Sequence, residues 1–255
     1  MAARGKIDDS SPASSAFRGA CLCRPASVGS IVDLQKLLAE RFPHTPVPAA
    51  RGRLVTGLSV LDEAIGGGLP KGAITELISP EVSAGSASLI HALLQADSAG
   101  QTPACSADKM SVLRPVALID SCDSFDPQPL GNPCLGHLLW VRCTKALEAI
   151  KAADLLLRDG NFPLVIVDLV LNALEELRKI PQTSWYRLQR LVESASTACV
   201  VLTRQGMVSS AQLKIVLENV WCLASFEEEN AISRLRIRVQ RSHLQREDIK
   251  IAGAS

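Results

Sequence analysis

The sequence of 255 residues has no excess of charge of either sign and no long apolar run. Its 27 lysines and arginines nearly balance its 26 aspartates and glutamates, so the net charge of +1 favours neither nucleic acid nor a membrane surface as a partner. No apolar stretch approaches the roughly 18 residues that span a bilayer, and the N-terminus lacks the charged and then apolar pattern of a secretory signal. We therefore expect a soluble, cytoplasmic protein that does not bind a membrane.

The eight cysteines lack the spacing of a metal site. Cys21 and Cys23 are a close pair in the sequence, but no second pair and no histidine follows them at the spacing of zinc ligands. Several other cysteines fall inside apolar runs, which favours buried free thiols in a reducing compartment over disulfides. We predict no metal site.

The composition is that of an ordinary globular protein, with 47% hydrophobic and 21% charged residues. We expect one large α/β domain, alone or with an appendage. Ser30 opens an amphipathic helix that packs on its own domain, on a neighbouring subunit or on a partner. The predicted parts are a flexible leader over residues 1–27, a helix and linker over 28–53, a core domain over 54–243 and a tail over 244–255.

Apolar strand-like runs alternate with helical patterns through the core domain. This alternation predicts crossover connections and a mostly parallel sheet with helices on both faces, in which the last strands are antiparallel. The predicted strands are 73–78, 116–120, 137–141, 163–168, 198–203, 220–224 and 233–241. The predicted helices are 59–65, capped by Ser59 and ended by Gly66, then 145–158, 183–195 and 210–217.

The stretch after the first of these strands has the scaffold of a phosphate-binding loop without its chemistry. A strand leads through a loop of small residues into a helix whose N-terminus would hold an anion. The working motif is G-x-x-x-x-G-K-[ST], and its lysine is missing here. The residues at the motif positions are Ser79 and Pro80 at the start, Gly85 at the second glycine, Ser86 at the lysine, Ala87 at the hydroxyl and Ser88 one residue on.

Several runs around this loop resemble RecA-type recombinases. Residues 56–62, 66–72 and 74–77 resemble the segment that precedes the P-loop in that family. Residues 116–127 resemble the RecA strand and loop that end in an Asp-Pro pair. The resemblance extends over residues 54–243 and implies the RecA-like P-loop NTPase fold.

The resemblance also implies roles for single residues. Asp168 falls at the carboxylate that supports the magnesium shell in that family, although a plain loop carboxylate is an equal alternative. Gln205 falls at the nucleotide-sensing glutamine, while Cys122, beside Asp123, stands where the water-activating glutamate belongs. Because the lysine is lost as well, we expect no tight ATP binding, no cofactor and no enzymatic activity.

Two basic regions are candidate surfaces for DNA or a protein partner. The two-residue period of the strand predicted at 233–241 places Arg234, Arg236 and Arg238 on one face, which tracks phosphates or is a charged, solvated edge. By resemblance, Arg241 and His243 stand where RecA proteins act on a neighbouring subunit's nucleotide. The RecA DNA-binding loops correspond to residues 169–183, which contain Arg178 and Lys179, and to 206–212.

The lysine-free loop after the Gly-Gly-Gly-x-Pro-x-Gly run at 66–72 resembles the ImuA-type accessory proteins of bacterial mutagenesis cassettes. This resemblance implies a non-catalytic scaffold in SOS-type translesion synthesis. Its implied partners are Y-family polymerase subunits, RecA, single-stranded DNA and further copies of itself. Two alternatives remain: a RecA-type DNA-dependent ATPase in which Lys71 or an interface arginine supplies the missing charge, and a cell-division inhibitor of the SulA type.

Overall fold

The computed structural model describes residues 26–27, 52–99, 115–222 and 231–242. The predicted N-terminal helix, most of the predicted leader, His243 and the predicted tail lie outside these residues. Ala26 and Ser27, at the end of the predicted leader, pair as a short strand with Val141 and Arg142.

A single large sheet forms the centre of the described chain, and it is mixed but mostly parallel. Its order is β1-β6-β5-β7-β8-β4-β9-β10, and β10 runs antiparallel to β9. The short strands β2 and β3 form a separate antiparallel pair. The strands are β1 (Ala26–Ser27), β2 (Arg53–Leu54), β3 (Leu69–Pro70), β4 (Ala73–Ile78), β5 (Val116–Asp120), β6 (Leu138–Arg142), β7 (Leu164–Asp168), β8 (Ala198–Thr203), β9 (Leu213–Leu217) and β10 (Ile237–Ser242).

Helices cover both faces of this sheet. On β7, Val165 and Val167 belong to one buried cluster, whereas Leu164 and Ile166 belong to another. Since successive strand residues face opposite sides, the uninterrupted apolar runs are explained by burial on both faces. The predicted α/β architecture is confirmed. The helices are α1 (Ser59–Ile65), α2 (Ser86–Ala99), α3 (Asn132–Gly136), α4 (Ala146–Asp159), α5 (Leu174–Leu177) and α6 (Gln182–Ser194).

The end of the core domain differs from the prediction. Residues 213–217, expected in a helix, form the buried strand β9 between β4 and β10. Ile215 and Val216 are β-branched and fit a strand packed on both faces. Residues 220–222 are not a strand, and a 3₁₀ turn (Ala231–Arg234) replaces the first part of the strand predicted from 233.

The start of α1 also differs from the prediction. Ser59 is its first residue and does not cap it; the capping position is Leu58, which makes no side-chain cap hydrogen bond. The carboxylate of Asp62 instead accepts hydrogen bonds from the backbone N–H groups of Thr56 and Gly57, at 3.1 and 3.2 Å. Gly66 ends the helix as predicted, in a left-handed conformation.

The parallel strands all end at one edge of the sheet. Residues 79–85, 121–130, 169–180 and 204–212 follow β4, β5, β7 and β8 there. In open α/β sheets this edge is where ligands bind. None of the described helices is both long enough and apolar enough to cross a membrane.

Candidate functional site

The loop after β4 keeps the strand–loop–helix scaffold that the sequence predicted. Ser79 is fully buried, and its backbone N–H donates to the carbonyl of Thr203 at 2.7 Å. A 3₁₀ turn (Val82–Ala84) follows, and Gly85 takes a left-handed conformation before α2 begins at Ser86. With Gly85 at the second glycine of the motif, the buried Ser86 at the start of α2 stands where the lysine belongs.

Gly85 lies directly against the indole of Trp221. A Cβ added at Gly85 would lie 3.0 Å from two carbons of that ring and 3.4 Å from Leu235. The backbone N–H of Trp221 also donates to the carbonyl of Ser83 at 2.9 Å. Glycine is therefore required here both for its φ of 93° and for the close approach of the ring. Sequence reasoning missed Trp221, because nothing in its spacing links it to residues 79–85.

The cations near the loop differ from the one suggested by the sequence. Lys71 precedes β4 whereas the loop follows it, and six strand residues at roughly 3.3 Å each separate them by about 20 Å. Lys71 therefore cannot supply the missing charge within this chain. Arg204, directly after β8, does reach the loop, with its Nη2 3.5 Å from the carbonyl oxygen of Pro80.

Two aspartates end neighbouring strands at the same edge of the sheet, Asp120 on β5 and Asp168 on β7. The buried Asp120 accepts hydrogen bonds from the N–H groups of Cys122 (3.2 Å) and Phe125 (2.9 Å), so it shapes the turn after β5. Asp168 accepts one from Val170 at 3.0 Å. Burial, together with the nearby charge of Asp120, raises the pKa of Asp168 to about 6, although the Val170 hydrogen bond opposes this.

Asp123 and Cys122, next to Asp120, lie at the surface. Asp123 is bound by the guanidinium of Arg142, which lowers the pKa of the Asp123 carboxyl. That guanidinium also lies over the ring of Trp140, 5.1 Å from its centroid. The carboxylate adjacent to the expected position of the water-activating glutamate is therefore engaged by β6.

A buried glutamate on β4 anchors the loop that carries Gln205. Glu76, on β4, accepts hydrogen bonds from the N–H groups of Met207 (2.7 Å) and Val208 (3.0 Å). Its other oxygen lies 2.5 Å from the ammonium of Lys214, on β9. Gln205 itself is exposed. An acidic residue inside an apolar strand was the available signal for this arrangement, and sequence reasoning did not use it.

The segment with Arg178 and Lys179 is an anchored turn. Glu176 Oε1 accepts the N–H of Ala146 at 2.6 Å, which satisfies the start of α4, and its Oε2 accepts from Asn172 at 3.2 Å. Asn172 is in turn bonded to Ser121. Leu169, Leu177 and Ile180 are buried beneath, while Arg178 and Lys179 are exposed.

The arginines near the C-terminus do not share one strand face. Arg234 ends the 3₁₀ turn, Arg236 precedes β10, and a register shift separates Val239 from Arg241. Arg238 pairs with Glu218. The strand predicted to carry all three arginines therefore begins only at Ile237, although Arg234, Arg236 and Arg238 are exposed, together with Arg241, and Leu235 between the first two is buried as the two-residue period predicted.

Comparison with curated proteins finds relatives named Protein RecA. The chain is 35% identical to that of Acinetobacter baylyi over 119 residues, which is 45% of this chain and 30% of the relative. It is 33% identical to the protein of Clavibacter michiganensis over 135 residues, 51% of this chain and 32% of the relative. The chain is RecA-like. No family model matches it, and the matches span about a third of the relatives' length.

These matches also correct the prediction that the RecA-like chain is not an enzyme. RecA is a DNA-dependent ATPase, so relatives of that name point to an enzyme. The prediction rested on three replaced motif residues, namely Ser86 for the lysine, Ala87 for the metal-binding hydroxyl and Cys122 for the water-activating glutamate. Replacement of these motif residues was too narrow a basis for assigning the class of the whole protein.

Proposed function

We propose that this RecA-like chain acts in DNA repair by joining a translesion DNA-synthesis complex, where it binds Y-family polymerase subunits and RecA. The observation that carries the proposal is the contact between Trp221 and Gly85. Through this contact the indole packs against the loop that, in a P-loop protein, would contact phosphate. The resemblance of residues 66–72 and of the lysine-free loop to ImuA-type proteins supplies the translesion part. The matches to RecA proteins support the repair part.

A binding experiment tests this function. The purified full-length chain is immobilised, and Y-family polymerase subunits from the same genome and RecA are each passed over it in biolayer interferometry. We expect saturable binding of at least one polymerase subunit, and no binding when an unrelated α/β ATPase domain is immobilised instead. Absence of binding to every polymerase subunit and to RecA would refute the proposal.

A second candidate function, a RecA-type DNA-dependent ATPase with a remodelled loop, is favoured by the contact between Arg204 and Pro80. In this candidate Arg204 supplies the charge that the motif lysine provides elsewhere, and Ser88, one residue after the hydroxyl position, supplies the metal-binding hydroxyl. Phosphate release is measured with and without single-stranded DNA. Turnover that DNA stimulates, and that Arg204→Ala but not Arg187→Ala reduces about tenfold or more, supports this candidate. No turnover, or equal turnover in the Arg204→Ala variant, contradicts it.

A further inference from the structure

Three exposed leucines lie around the junction of α5 and α4. Leu171 and Leu174 expose 48% and 37% of their surface, and Leu147, the second residue of α4, exposes 39%. The hydrogen bond from Ala146 N–H to Glu176 brings the start of α4 against the segment that carries the other two leucines. We name Leu147, Leu171 and Leu174 the leucine patch. Adjacent exposed apolar side chains of this kind mark interaction sites.

The fold holds the leucine patch outward. Leu169 and Leu177 occupy the same buried cluster as Ala146, so the inner side of the turn is already filled. Asn172 is buried and links Ser121 to Glu176, which fixes the turn between Leu171 and Leu174. The leucines are therefore presented on a preorganised surface, and a partner that binds there loses little free energy to ordering the turn.

Positive charge surrounds the leucine patch. Lys151 follows Leu147 by four residues, and Arg178 follows Leu174 by four, so each cation lies on the helical face of its leucine. The exposed cations of this rim are Lys145, Lys151, Arg178 and Lys179, and the exposed carboxylates are Glu148 and Glu175. These four cations outnumber the two exposed carboxylates and the half-buried Glu176, so the rim carries a net positive charge. It is therefore complementary to an acidic partner.

We propose that the leucine patch and its basic rim bind an acidic amphipathic helix of a partner protein. This inference rests on the proposed function in taking that partner to be a translesion polymerase subunit. The apolar residues of the partner helix, spaced at i, i+3, i+4 and i+7, pack on the leucine patch. Glutamates of the partner helix beside this apolar stripe pair with Arg178 and Lys179. Single-stranded DNA fits this surface less well, because the leucine patch contains no aromatic side chain on which a base stacks.

The test uses a labelled synthetic peptide of about 18 residues, with leucines on one helical face and glutamates beside them. Its binding to the full-length chain is followed by fluorescence anisotropy at several salt concentrations. We expect the variant Leu171→Ser/Leu174→Ser to bind about tenfold or more weakly. The variant Arg178→Glu/Lys179→Glu loses the salt dependence together with affinity. Tyr186→Ser, an exposed position on α6 outside the patch, leaves binding unchanged and serves as the control.

Several outcomes overturn the inference. Equal binding of a peptide with lysines in place of the glutamates, or of the double leucine variant, removes its basis. Displacement of the labelled peptide by oligo(dT), if it is also seen with the double leucine variant, assigns the surface to DNA instead. Circular dichroism verifies that each variant is folded before binding is measured.

The same variants separate this inference from the proposed function. A polymerase subunit that binds the wild-type chain and the double leucine variant equally well refutes the leucine patch and leaves the proposed function intact. Peptide binding that depends on the patch, in the absence of any binding to polymerase subunits or RecA, refutes the proposed function and leaves the patch intact.

Discussion

Replacing Asp168 by asparagine is expected to stabilise the protein at neutral pH. Burial raises the pKa of Asp168 to about 6 from its ordinary 3.8, so the charged carboxylate is less favourable in the folded state than in the unfolded chain. Each pKa unit corresponds to about 1.4 kcal/mol, and the raised pKa therefore costs about 3 kcal/mol of stability once the group is fully ionised. Asparagine removes the charge and retains an oxygen that accepts the Val170 N–H.

The pH dependence of this effect has a definite direction. Between pH 4 and pH 6 the folded state binds more protons at Asp168 than the unfolded state does, so the stability of the wild-type chain falls as the pH rises. Well below the ordinary pKa of 3.8 the carboxyl is neutral in both states, and the variant has no electrostatic advantage. The difference in unfolding free energy between Asp168→Asn and wild type therefore grows from near zero in strong acid to about 3 kcal/mol at pH 7.5.

Urea unfolding followed by circular dichroism at pH 4.5, 5.5, 6.5 and 7.5 measures this difference. Asp123→Asn is the matched control, because Arg142 lowers the pKa of Asp123 and asparagine tolerates its φ of 55°. The contribution of Asp123 is present at neutral pH and is lost as the pH falls, so the control loses stability at neutral pH and this loss fades in acid. An Asp168→Asn variant that is no more stable than wild type at pH 7.5, or whose advantage does not change with pH, would contradict the reasoning.

Three further substitutions test the contacts around the sheet edge by urea unfolding. Gly85→Ala is expected to lower the free energy of unfolding by about 2 kcal/mol, and by less in a Trp221→Ala background, where only backbone strain remains. Equal losses of stability in both backgrounds would show that the indole ring is not the obstacle. Glu76→Gln leaves Lys214 without its charged partner and is expected to lower the free energy of unfolding by about 3 kcal/mol. The double variant Glu76→Gln/Lys214→Met is expected to recover much of this stability, and a larger loss in the double variant would contradict the reasoning. Glu176→Ala leaves the N–H of Ala146 unpaired and is expected to cost about 1–2 kcal/mol, whereas Glu175→Ala at the neighbouring exposed position costs less than about 0.5; equal effects would exclude the anchoring role.

Local patterns predicted much of the sheet because they reflect burial. The strands 73–78, 116–120 and 198–203 were found at their observed bounds, since uninterrupted apolar runs of this length are typical of parallel strands covered on both faces. The helix predicted to end at residue 158 ends at Asp159, because Gly160 follows it in the left-handed conformation that glycine adopts readily. Residues 213–217 were misassigned because a short apolar run has the same composition in a buried helix and in a buried strand.

The side-chain contacts of the candidate site were not predictable in the same way. Glu76 and Met207 are separated by 131 residues, and Arg204 and Pro80 by 124, so no local period connects them. They meet because β8 and β9 flank β4 on its two sides in the sheet. Strand order decides these contacts, and it emerges from packing of the whole domain, whereas secondary structure is already indicated by short windows of sequence.

The loops at the sheet edge are linked to one another through the strands that support them. Residues 79–85 and 204–208 share β4 as their support, through the bond from Ser79 to Thr203 and the bonds that Glu76 accepts from Met207 and Val208. The turn with the leucine patch is tied to α4 by Glu176, but the N–H of Leu169 also donates to the carbonyl of Leu202 on β8 at 3.0 Å. Leu177 lies in the same buried cluster as Val208. We therefore expect displacement of any one of these loops to strain the others, because strands β4 and β8 and their buried side chains connect them.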